Sequence, residues 1–140
     1  MTQESPLHGL RAQQGAGTDT VVVLSTVPDT LLAKRIAHIL IEEYLAACVH
    51  IGAPGVSMYM WQGGLEGGEE ISMTIKTTAA SLDALYSRLC ALHPYEVPEF
   101  LVLPVQGGSV AYLGWIAAQA GQAPRSDNDA GSGAPDSGKE

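Results

Sequence analysis

The sequence predicts an α+β domain of the ferredoxin-like β-α-β-β-α-β plan with an extra C-terminal helix. Three observations predict it. Residues 32–44 and 82–92 carry apolar side chains at helical spacing. Around them lie apolar or alternating runs in the order strand, helix, hairpin, helix, strand, which is that split plan. Between the second helix and the last strand runs a stiff ribbon, His93-Pro94-Tyr95-Glu96-Val97-Pro98-Glu99. Its two prolines, each with a fixed φ and no N–H, end the helix and hold the segment extended.

Val21-Val22-Val23-Leu24 is β-branched and continuous, the pattern of a strand buried on both faces. Pro28 stops it, and Asp29 or Thr30 is placed to cap the helix carrying Leu32, Ile36, Ile39, Leu40 and Tyr44. A second strand opens at Cys48, is interrupted at Gly52-Ala53-Pro54-Gly55, and resumes through Trp61. The interruption predicts a bulge or bend in one long strand. Gly63-Gly64-Leu65-Glu66-Gly67-Gly68 predicts a flexible hairpin loop, after which Ile71, Met73 and Ile75 alternate with Ser72, Thr74 and Lys76. Leu82, Leu85, Leu89 and Leu92 form the stripe of the second helix. After the ribbon, residues 100–105 are apolar throughout, and residues 112–118 predict a short closing helix. Two helices cover one face of a four-stranded sheet. The first and last strands nonetheless look apolar on both faces, so the second face needs a cover, and self-association is the simplest one.

Composition excludes several classes. The 140 residues are 46% hydrophobic, enough for one domain with a core. Fifteen acidic residues against seven basic give a net charge of −8, with no basic stripe for a phosphate backbone, so nucleic acid is not an expected partner. No run is apolar enough for a signal peptide or a membrane span, and the expected compartment is the cytoplasm. Cys48 and Cys90 have no metal-ligand spacing and form no disulfide framework, which favours a reducing environment. The expected organisation is a disordered segment at residues 1–20, a folded domain at 21–120 and a disordered acidic tail at 121–140. The ends lack the apolar surface that would offset ordering entropy.

The ribbon holds the densest chemistry. His93 sits at a helix C-terminus, where it either caps the last carbonyls or, with Glu96 or Glu99, ligates a metal or moves a proton. Glu99 begins a strand and serves as a ligand or as an ion-pair partner. Lys76, on the Ser72/Thr74 face, pairs with a carboxylate or holds a small anion in a cleft between subunits. Cys48 is either a small buried apolar residue or part of a ligand site. Tyr59, Trp61, Tyr95 and Trp115 are candidates for a pocket wall, and Trp61 equally for an oligomer contact. The candidate ligand-binding set is therefore Lys76, Tyr95, Cys48 and Trp61, and the candidate metal set Glu99 with His93. No nucleophile elbow, phosphate loop or zinc spacing is present, so catalysis is not expected.

His-Pro-Tyr-Glu-Val-Pro-Glu resembles the signature of the CutA family of divalent-cation-tolerance proteins. Further pieces match in order: residues 21–26 with Pro28, Ala46-Ala47-Cys48-Val49, Tyr59 with Trp61 and Gly63, Ile75-Lys76-Thr77, and Tyr112 with Trp115. The resemblance implies a homotrimer packed about a three-fold axis, with long hairpins reaching neighbouring subunits. It implies a role in tolerance of divalent cations through non-catalytic binding of a metal ion or small ligand at subunit clefts. The alternatives are a trimeric signalling or structural scaffold without metal, and an enzyme using His93 and Glu99 as acid and base. Copper-binding members place a cysteine, a histidine and a glutamate at positions that fall here on Ser25, Leu92 and Glu99. Only Glu99 is a ligand type, so a Cu²⁺ site is expected to be weak or absent. Two more departures are His50, where relatives carry Asn, and Gly64, where a lysine is common.

Overall fold

The computed structural model describes residues 9–121. All but the first residue of the expected tail at 121–140, and the first eight residues of the expected N-terminal segment, lie outside the described residues. Among the described residues, six strands and three α-helices follow in order: β1 Leu10–Ala12, β2 Thr20–Val27, α1 Thr30–Glu42, β3 Cys48–Trp61, β4 Gly64–Thr78, α2 Leu82–Leu92, β5 Leu101–Pro104, β6 Gly107–Ser109 and α3 Val110–Gln119. The main sheet runs β3-β4-β2-β5, antiparallel throughout, and this is the ferredoxin-like strand order. A second sheet pairs β1 with β6.

Local chemistry accounts for the helix ends. Asp29, in extended backbone, accepts from the Leu32 amide at 2.7 Å and caps α1. α2 stops at His93 because Pro94 has no N–H to continue it. Period-two alternation then sorts the strands. Val23, Val27, Ile71, Met73 and Ile75 point to the helices and form one core with Ile36, Leu40, Leu85 and Leu89. On the opposite, open face lie Val22, Leu24, Cys48, His50, Thr74 and Lys76. α3 covers only part of that face, seating Ile116 and Ala120 on Ala47 with Trp115 beside them.

The expected bulge is present. The β3–β4 register slips between Ile51 and Pro54, so Gly52 and Ala53 together oppose Ser72. The glycine-rich loop is not a loop. Gln62 and Gly63 alone make the turn, with φ of 49° and 82°, the two positive values a tight two-residue hairpin requires. That turn pins the register, so Gly64, Gly67 and Gly68 pair in β4 rather than hanging free.

The expected disordered N-terminal segment also needs correction. Residues 10–12 form β1 on the edge of β6, and Gln13 clamps the neighbouring backbone. The composition of the segment hid this, because its fastening is polar rather than apolar. β5 differs as well. It is an edge strand, and Leu101, Val102 and Leu103 are 55%, 42% and 44% exposed. Its apolar residues therefore have no cover within the described residues.

The hairpin outruns the sheet. β2 ends opposite Ile71, so the stretch from Pro54 to Glu70 pairs only with itself. This ribbon projects about 25 Å at ~3.3 Å per residue. Val56, Met58, Met60, Trp61 and Leu65 along it are all more than half exposed.

Candidate functional site

Alternation brings Cys48 and Lys76 together as directly opposed residues of β3 and β4, on the open face. Lys76 Nζ donates to Tyr112 Oη at 3.3 Å and stands 5.4 Å from the centre of the same ring. Tyr112 in turn stacks on Trp115, with ring centroids 5.8 Å apart. α3 brings both rings to the lysine, and Ser109 starts that helix by accepting from the Tyr112 amide. The ion pairs among the described residues are His38–Glu42 and Arg88–Glu43. None involves Lys76, so its charge faces neutral partners.

The other two candidates for this site lie elsewhere. Trp61 pairs with Gly64 at the hairpin turn, twelve residues of β4 away from Lys76. That is about 40 Å along the strand, beyond reach within one subunit. Tyr95 donates to Glu70 at 3.2 Å and packs at 4.8 Å on the His93 ring. Desolvation raises its phenol above the usual value, and the Glu70 carboxylate adds to that. Tyr112 is the residue that sequence reasoning left out of the site. The signal was present in its spacing from Trp115, i to i+3 on the closing helix, which puts both rings on one face.

The candidate metal set fails a test of donor chemistry. His93 is buried, with Nε2 at 2.7 Å from the Thr26 carbonyl and Nδ1 at 3.1 Å from the Tyr95 amide. A carbonyl only accepts and an amide only donates. The ring must therefore carry its proton on Nε2 and accept at Nδ1. No nitrogen lone pair remains for a metal, nor for acid–base work with Glu99. Ser25 is buried, and its hydroxyl donates to the Glu99 carbonyl at 2.7 Å. Leu92 packs on the core. Glu99 is the sole ligand type in that trio, and one carboxylate does not hold Cu²⁺. Among the described residues, no cluster of three or more His, Cys, Asp or Glu is arranged to hold a metal ion. His50 is exposed on the open face, two residues beyond Cys48.

The family model described as CutA1 divalent ion tolerance protein matches residues 21–119. The chain belongs to this family. The match takes in the open-face strands, the ribbon and α3. Among CutA relatives, the divalent-cation tolerance protein CutA of Pectobacterium atrosepticum is 46% identical over 98 residues, covering 70% of this chain and 89% of its own. The protein of the same name from Thermus thermophilus is 47% identical over 96 residues, covering 68% and 92%. A solved CutA structure from Synechococcus elongatus superposes with a TM-score of 0.75 at 38% identity, covering 82% of this chain and 98% of that one. The names of these relatives speak of divalent-cation tolerance. No helix among the described residues is long and apolar enough to cross a membrane.

Proposed function

We propose that this chain serves divalent-cation tolerance as a homotrimeric, non-catalytic binding protein of the cytoplasm, holding a small anion at Lys76. The observation that carries the reading is the lysine itself. Lys76 is a partly buried residue whose ammonium is exposed on the open sheet face, hydrogen-bonded to a neutral phenol and without a carboxylate partner among the described residues. An ammonium in that setting attracts an anion and repels a bare divalent cation. Tyr112 adds a hydroxyl donor, and the Trp115 ring a flat apolar wall.

The trimer is supported by what one subunit leaves open. Among the described residues the projecting ribbon has no third strand, and an isolated two-stranded ribbon is marginal in water. β5 presents an apolar edge. A second copy offers the same unpaired surfaces in return, and three copies close the arrangement in the family resembled. The free thiols of Cys48 and Cys90 suit a reducing compartment.

Native mass spectrometry of freshly purified protein tests stoichiometry and retained ligand together. The expected result is a trimer carrying small anionic mass. Titration with inorganic phosphate should then show Lys76→Gln binding about ten- to a hundredfold more weakly, the weight of one charged hydrogen bond. Equal affinity in the variant overturns the anion site. A trimer that binds nothing supports the scaffold alternative instead.

A further inference from the structure

Residues 9–13 precede the family match at 21, yet they are fastened to the domain by a short ladder and five further hydrogen bonds. Leu10, Arg11 and Ala12 face Ser109, Gly108 and Gly107 across a short ladder. The Gly9 carbonyl accepts from the Val110 amide at 3.0 Å, and the Gln13 backbone N–H donates to the Gln106 carbonyl at 2.8 Å. The Gln13 carboxamide both donates and accepts. It donates to Thr20 and Val105 carbonyls at 2.9 and 2.7 Å and accepts from the Thr20 amide at 2.6 Å.

Two details tie this arm to α3. Val110 is the first residue of that helix, and its amide has no intrahelical partner, so the Gly9 carbonyl supplies one. Gly107 also has no room for a side chain. A Cβ there would stand 2.5 Å from the Arg11 carbonyl oxygen, and the three nearest atoms all belong to the arm. The edge of β6 is shaped to this segment.

The fastening is nonetheless light. Leu10 is 80% exposed, and Arg11 and Ala12 are exposed as well, so the arm buries almost no apolar surface. Segments held by exposed backbone hydrogen bonds open at far lower free energy than a packed core. We propose that residues 9–13 are a releasable strap. Closed, it fixes the start of α3 and with it the Tyr112 hydroxyl against Lys76; open, it frees both. Its effect on ligand binding rests on the reading of Lys76 as an anion site, whereas its hold on α3 does not.

Hydrogen exchange by mass spectrometry on the full chain, with phosphate titration in parallel, tests this in two variants. Gly107→Ala drives the strap off from the β6 side, and Gln13→Ala removes three hydrogen bonds from the strap side. Both are expected to speed exchange at residues 110–113 by about tenfold or more, with the amides of residues 21–27 and of β4 unchanged; the Thr20 amide, which loses its Gln13 acceptor in Gln13→Ala, is left out of that control. Phosphate affinity should fall at least about threefold. Wild-type exchange at 110–113 in either folded variant overturns the strap. Faster exchange with undiminished phosphate affinity, where Lys76→Gln does weaken binding, overturns the coupling to the site. If Lys76→Gln leaves phosphate binding unchanged, the anion reading falls, and the exchange data alone decide whether the strap holds α3.

Discussion

Replacing His93 with alanine separates a structural histidine from a metal ligand. In the folded protein the ring bridges the Thr26 carbonyl and the Tyr95 amide, at 2.7 and 3.1 Å. It is only 8% exposed, so water does not readily replace it. Alanine leaves an acceptor and a donor unpaired, at about 1–3 kcal/mol for each that stays dry. It also loses the ring's packing on Tyr95. Both backbone groups lie near the surface ribbon and regain some water, so the expected total is about 2–4 kcal/mol. Denaturant unfolding at one fixed protomer concentration reads this, since assembly makes stability depend on concentration. His93→Asn should recover part of the loss, because its amide both donates and accepts. The unfolding is then repeated with Cu²⁺. An alanine variant as stable as wild type without metal, but deaf to copper that stabilises wild type, would refute the tautomer argument and restore His93 as a ligand.

Copper affinity should rise at least about tenfold in the double variant Ser25→Cys, Leu92→His, since thiolate and imidazole are the better donors. Ser25 already touches the Glu99 backbone, so calorimetry showing no gain would mean that residue 92 does not converge on that pair. Trp61→Asp should weaken the proposed trimer, measured by light scattering on dilution, because a charge desolvated in an apolar contact costs several kcal/mol; unchanged assembly would place the ribbon tip outside the interface. Tyr95 titrates above the ordinary 10.0 through desolvation and then Glu70, so folding favours its protonated form. Its contribution is whole below pH 10 and is lost as the pH rises through the raised value. Tyr95→Phe should flatten that alkaline loss of stability, and an identical alkaline profile in the variant would contradict the raised phenol.

The order of the four main strands and three helices was determined by sequence alone, whereas β1 and β6 were not, because the former rest on signals carried within a few residues. Leu32, Ile36 and Leu40 recur at the helical period, Pro94 removes a donor, and Gly52-Ala53 breaks an alternation. Each acts locally, wherever the rest of the chain lies. The His-Pro-Tyr ribbon is legible for the same reason, and it carried the family resemblance. Only the tertiary structure decided what those residues do. Whether His93 is a ligand depends on a carbonyl 67 residues away, and whether Lys76 is paired depends on a helix 36 residues later. The N-terminal strap was hidden because composition records apolar surface, while Gln13 holds through hydrogen bonds to backbone groups brought near by folding. Periodicity states which face a side chain takes. The partner it meets there is set by the path of the whole chain.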